Sequence, residues 1–146
     1  MENNNPKAFY SCLDMGFIGE VPQAIQHLIV GKMAEHVGGS VVFYTMEDYY
    51  TLKTHEVILA KIAEKPQIQG IVFFRIGQFF YSGRLEFRIL SDILKQGLEV
   101  HFAREKLSIR STAELEKAFA LLHTAQYTQA RPRSFFDSLL KEMLPS

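Results

Sequence analysis

The sequence has no tryptophan, a single cysteine and no surplus of charge of either sign. The lone Cys12 cannot close an internal disulfide, so packing must hold the fold together and a reducing compartment is expected. Lys plus Arg and Asp plus Glu number 16 each. The chain therefore lacks the electrostatic excess that drives non-specific binding to nucleic acid or anionic lipid. No apolar run approaches the ~20 residues needed to span a bilayer. The opening MENNNPK carries no charged-then-apolar signal pattern and reads as a flexible polar leader over residues 1–7, so a cytoplasmic location without membrane contact is expected. The five histidines are scattered without ligand spacing, and Gly16-x-x-Gly19 lacks the further glycines of a dinucleotide or phosphate-loop fingerprint. Neither a metal nor a cofactor is expected.

What is present is an ordinary core. Hydrophobic residues make up 47% of the chain, with 12 Phe and 6 Tyr supplying the bulk. A chain of 146 residues is one domain's worth and buries roughly two thirds of its unfolded surface. Ala8 to Leu13 is a short apolar run ending at Asp14, Gly16 and Gly19, as a central strand running into a loop would be. From Val21 to Val37 the apolar residues Ile25, Leu28, Ile29, Met33 and Val37 recur at helical steps, with Pro22 in the first turn and Gly38-Gly39 past the end. Ser40 to Met46 is β-branched and aromatic, hence a strand, and Glu47 to Tyr50 leaves it as a polar-aromatic stretch. A second helix is expected over Leu52–Glu64, with Val57, Ile58, Ile62 and Ala63 inward.

The segment Pro66 to Glu105 reads as a β-α-β unit. Its strand is Ile68–Arg75, its helix Arg84–Gln96 and its second strand Leu98–Ala103. A fourth helix spans Thr112–Tyr127, and Arg131-Pro132-Arg133 precedes a last helix with Phe135, Phe136, Leu139, Leu140 and Met143 on one face. That helix packs on its own domain or docks on a second subunit. The expected organisation is an α/β domain over residues 8–128 with a C-terminal helical extension over 129–146.

Four strands alternating with helices call for a parallel sheet with helices on both faces, for which we take the order 2-1-3-4. In that order the chain reverses between strands one and three, so the loops Asp14–Glu20 and Ile76–Arg84 line a crevice at the carboxyl edge, where open α/β sheets bind ligands. Glu47–Tyr50 and Arg104-Glu105 would flank it.

Each candidate has two readings. Asp14 and Glu20 could accept sugar hydroxyls or act as an acid-base pair, or else complement a helix dipole. Gln23 and Gln26 could hydrogen-bond a ligand or face solvent. Arg75, surrounded by Gln78, Tyr81 and Arg84, suits a phosphate or carboxylate, or pairs with Glu47 or Glu105. Arg104 and Glu105 sit just beyond a strand end. His101, inside an apolar strand, reads as a satisfied core histidine before a base. Cys12 reads as inert packing.

Two resemblances add to this. From about Ala8 to Gln126 the layout resembles the catalytic domain of serine recombinases, the resolvase and invertase family, which implies a resolvase-like or flavodoxin-like α/β frame. Its Tyr-x-Arg-x-Ser pattern falls here on Tyr10, Cys12 and Asp14, and its Asp-Arg-x-x-Arg turn on Gly77, Gln78 and Tyr81. The nucleophile and the charge-stabilising guanidinium groups are thus replaced, which removes the recombination chemistry. No basic C-terminal helix-turn-helix follows that would find a DNA site.

The second resemblance is narrower. Gly16-x-x-Gly19-Glu20-Val21-Pro22-Gln23-x-x-Gln26-x-Leu28-Ile29-Val30, Ile68-x-Gly70-Ile71-Val72 and Glu99-Val100-His101-Phe102-Ala103-x-Glu105-x-Leu107 make the chain similar to sporadic carbohydrate cluster proteins. These are small stand-alone proteins of bacterial surface polysaccharide gene clusters. Relatives often carry Ser-Arg where this chain has Ser11-Cys12, so Ser11 joins the candidate ligand residues while the arginine has no counterpart. The resemblance implies a protein that binds or converts a small polar or phosphorylated sugar. The alternative is a non-catalytic, homodimeric accessory to other enzymes of such a pathway, and the third reading a DNA-acting recombinase relative.

Overall fold

The computed structural model describes residues 6–47, 50–81, 84–85 and 87–118, with the side chains of 80–81 and 84–85 outside that description. The protein is an α/β domain built on a mostly parallel sheet. Strands β1 (Lys7–Asp14), β2 (Gly39–Glu47), β3 (Ile68–Phe73), β6 (Glu99–Phe102) and β7 (Leu107–Ile109) lie in the order β2-β1-β3-β6-β7. The first four are mutually parallel and β7 runs antiparallel on β6. A separate two-stranded ribbon pairs β4 (Phe80–Tyr81) with β5 (Arg84–Leu85).

Strand β1 is central because it is apolar toward both faces. Phe9 and Leu13 pack with Val30, Met33 and Ala34 of helix α1 (Gln23–His36). Tyr10 and Cys12 point the other way, toward Ile58 and Ile62 of α2 (Leu52–Ala63) and Ile89, Leu90 and Ile93 of α3 (Phe87–Lys95). Helix α4 (Thr112–Lys117) adds Leu115 to that second face. One crossover helix on one face and two on the other is what right-handed crossovers demand when the chain steps outward from β1 to β2 and then returns past β1 to β3 and β6.

Side chains cap two helices: Thr51 Oγ1 accepts the N–H of Thr54 at 3.5 Å, and Ser111 Oγ accepts that of Glu114 at 3.1 Å. Gly38, at φ +91°, ends α1 in the left-handed region that a β-carbon disfavours. Under α2 and α3 lies an aromatic cluster. Phe73 meets Phe79 at 4.7 Å, Tyr50 at 4.9 Å and Phe102 at 5.7 Å between ring centroids.

Four differences from the sequence reading have physical causes. The sheet has five strands rather than four: a tight turn with Lys106 at φ 57° returns the chain along β6, and three residues suffice for β7. Arg84 begins no helix but pairs with Tyr81 in the β4–β5 ribbon, and α3 starts at Phe87. In α1 the buried residues are Gln26, Val30, Met33 and Ala34, while Ile25 and Leu28 are 44% and 60% exposed. Apolar and polar residues are spread round this helix with no dominant apolar stripe, and the hydrogen bonds of Gln26 pin one face inward. In α2, Val57 and Ala63 face solvent and His55 joins Ile58 and Ile62 inside. Residues beyond Ala118, including the expected continuation to Tyr127 and the C-terminal helix, lie outside the described residues.

Candidate crevice at the carboxyl edge

Three strand ends meet where the chain reverses direction, those of β1, β3 and β6. Asp14 closes β1 and turns the chain: its Oδ1 accepts the Gly16 N–H at 3.1 Å, capping a single 3₁₀ turn over Met15–Phe17. Gln26 reaches back from α1 to hold the same residue by its backbone. Gln26 Oε1 accepts the Asp14 N–H at 2.8 Å, and Gln26 Nε2 donates to the carbonyls of Asp14 at 2.9 Å and Val21 at 3.0 Å. A buried amide is thereby used on both ends, fixing loop to helix. Gln26 is buried, so neither ligand contact nor solvent exposure describes it.

Arg75 leaves β3 and lies across this loop. Its Nε donates to Asp14 Oδ2 at 2.7 Å, and its guanidinium stacks on Phe17, with Cζ 4.2 Å from the ring centroid. The ion-pair partner is Asp14, rather than Glu47 or Glu105. The two terminal nitrogens make no hydrogen bond among the described residues, and the side chain is 22% exposed. Gly77 lets them sit there: a β-carbon at that position would collide with Nη1. Arg104, from the end of β6, also lies over the Phe17 ring, at 5.4 Å, so two guanidinium groups meet one aromatic ring.

Glu105 lies beneath. It is 8% exposed and its Oε1 accepts the Ile76 N–H at 3.0 Å. Burial pushes its carboxyl up to about 7, although the Ile76 N–H and the Arg104 and Arg75 charges pull the other way. Gln78 is an internal brace: its Oε1 accepts the Arg75 N–H at 2.9 Å and its Nε2 donates to the Cys12 carbonyl at 3.0 Å. Burial pushes the Cys12 thiol far up, so it stays neutral and is no nucleophile.

The sequence candidates thus divide. Asp14, Arg75, Arg104 and Glu105 come together. Gln78 supports them from below, buried and fully engaged. Glu20 and Gln23 are exposed on the approach to α1 and at its first residue. Ser11 is buried within β1, and its Oγ has no hydrogen-bond partner among the described residues. Tyr81 and Arg84 pair as strand residues beside the crevice, their side chains outside the described set.

Phe17 went unremarked in the sequence, although an aromatic three residues after a strand-ending Asp is the available signal. His101 is a satisfied core histidine. Its Nδ1 meets Ser108 Oγ at 2.7 Å and its Nε2 meets Glu99 Oε1 at 2.9 Å, and burial holds its pKa below the ordinary value. Among the described residues no group of three or more His, Cys, Asp or Glu could hold a metal ion, and no helix is long and apolar enough to cross a membrane. A scan against protein-family models and a search of curated proteins found no match to the chain.

Proposed function

We propose that the protein binds a small phosphorylated carbohydrate at the carboxyl edge of its sheet and serves bacterial surface polysaccharide synthesis from the cytoplasm. The observation that carries this reading is the posture of Arg75. Asp14 and Phe17 hold its guanidinium by the Nε edge and one face, leaving Nη1 and Nη2 to meet two oxygens of a phosphate. A charge held in place before the ligand arrives loses little side-chain entropy on binding, which is where preorganised sites gain affinity. Arg104 stands on the same ring. The resemblance to sporadic carbohydrate cluster proteins supplies the substrate class, and the switch-point location agrees with where open α/β sheets receive ligands.

The test is a thermal-shift series on the purified protein with sugar phosphates, nucleotide sugars and short duplex DNA, with Arg75→Lys alongside. Lysine keeps a charge for Asp14 but loses the fork. A ligand at about a hundred times its Kd adds about 2.7 kcal/mol. A shift specific to the phosphorylated sugars and lost in Arg75→Lys is expected. Stabilisation by DNA alone, or a sugar response that survives the substitution, contradicts the proposal.

A second reading, an oligomeric accessory, is favoured by one observation. Strand β2 lies at the end of the sheet with Val42, Phe43 and Tyr44 exposed. An uncharged edge of this kind is a template for pairing with another chain, and a second copy is the partner it best fits.

A further inference from the structure

We propose that the cleft between α2 and α3 is a second ligand site, taking a small organic anion that also carries a hydroxyl group. The cleft has a volume of about 620 Å³, within the range of small-molecule sites. Thr51, Leu52, Lys53 and His55 line it from the start of α2, and Arg88, Ile89 and Asp92 from α3. It is distinct from the crevice around Arg75 and shares no lining residue with it.

A buried relay fixes its floor. Tyr50, fully buried, meets His55 Nδ1 through its hydroxyl at 3.2 Å, and His55 Nε2 meets Asp92 Oδ2 at 2.6 Å. Burial raises the Tyr50 pKa, so the phenol stays protonated. The His55 contact holds the Asp92 carboxyl below its ordinary value, so Asp92 is an anion and accepts the Nε2–H of His55. Asp92 is therefore locked in orientation from behind, yet its side chain is 47% exposed toward the cleft. A carboxylate has lone pairs to spare for a ligand donor.

The cations are the second observation. Arg88 and Asp92 stand four residues apart on α3, the spacing that ordinarily pairs such side chains. No ion pair forms between them, and among the described residues neither Lys53 nor Arg88 has any ion-pair partner. One cleft thus holds two positive charges without an ion-pair partner among the described residues and one oriented acceptor, with Leu52 and Ile89 as apolar walls. The complementary ligand has an anionic group for Lys53 and Arg88, a compact carbon skeleton and a hydroxyl for Asp92.

The test is an NMR titration of the full-length, ¹⁵N-labelled protein with glycerol 3-phosphate, reading the His55 ring nitrogens, with inorganic phosphate and glycerol in parallel. The His55 signals should move with glycerol 3-phosphate. The Lys53→Ala/Arg88→Ala double variant changes only exposed residues, and it should weaken this response by about tenfold or more. Asp92→Asn should weaken it too, while Arg75→Lys leaves it unchanged. No movement at His55 at millimolar ligand, or a response indifferent to the double variant, overturns the site. Equal affinity for inorganic phosphate overturns the hydroxyl contact, and loss of the response in Arg75→Lys would assign the binding to the other crevice.

Discussion

Asp14 takes the Nε of Arg75 at 2.7 Å while Phe17 takes one face of the same guanidinium, so a single side chain serves both the loop and whatever approaches from solvent. Gly77 is the hinge of that arrangement. In Gly77→Ala the new methyl displaces Nη1, and Asp14, which is 2% exposed, is left with a weakened partner. A loss on the order of 2 kcal/mol in urea denaturation is expected, together with loss of the sugar-phosphate response. Unchanged stability would mean that the guanidinium is not seated over that glycine.

Glu105 adds a pH dependence whose direction follows from its raised value. Between pH 4.5 and about 7 the unfolded chain has released this proton while the folded chain still holds it, so stability falls as pH rises through that window. The whole effect is about 3 kcal/mol. Glu105→Gln removes the titration but keeps an oxygen for the Ile76 N–H. The variant should therefore match the wild type near pH 4 and exceed it in urea midpoint at pH 8. An equal difference at both pH values would show that Glu105 is not held protonated by burial.

At the scale of elements, the strands were the most legible part of the sequence. β1, β2, β3 and β6 are short, β-branched or aromatic runs bounded by turn residues, and each lies within a residue or two of its expected place. The largest difference is in β3, which ends at Phe73, two residues before the expected Arg75. Helix α1 was legible as a helix but not in its orientation. Its apolar residues offer several stripes, and the choice rests on three hydrogen bonds made by one glutamine to Asp14 at the end of β1 and to Val21. The β4–β5 ribbon and β7 were not legible, since pairs of two or three residues leave no periodicity to read.

Phe73 anchors the face under α2 and α3, and Phe73→Ala should cost about 3–5 kcal/mol in urea denaturation, the usual loss for a large buried aromatic. The β2 edge makes its own prediction. If a second copy pairs there, Val42→Lys should shift the protein from dimer to monomer in analytical ultracentrifugation while its circular dichroism stays that of the folded chain. A wild-type monomer would remove the assembly reading.

For the molecule as a whole, order and handedness decide where chemistry can sit. Moving out from β1 to β2 on one face and back through β3 and β6 on the other opens the sheet at Asp14 and Arg75, as the expected order 2-1-3-4 has it, whereas the alternation of strands and helices gives only a parallel sheet. What did not follow was which side chains work there. Asp14 and Arg75 lie 61 residues apart and meet only through the β1–β3 pairing. Tyr50, His55 and Asp92 join three segments by contacts that no sequence spacing announces. The fold reads from local patterns, whereas its polar contacts depend on register.

The most direct measurement of the central claim is the side-chain ¹⁵N spectrum of Arg75 in the full-length protein as a sugar phosphate is added. The Nε–H signal, already bonded to Asp14, should stay nearly fixed while the terminal nitrogen signals shift and sharpen as rotation of the guanidinium slows. Saturable binding that leaves the Arg75 terminal nitrogens unmoved would contradict the claim.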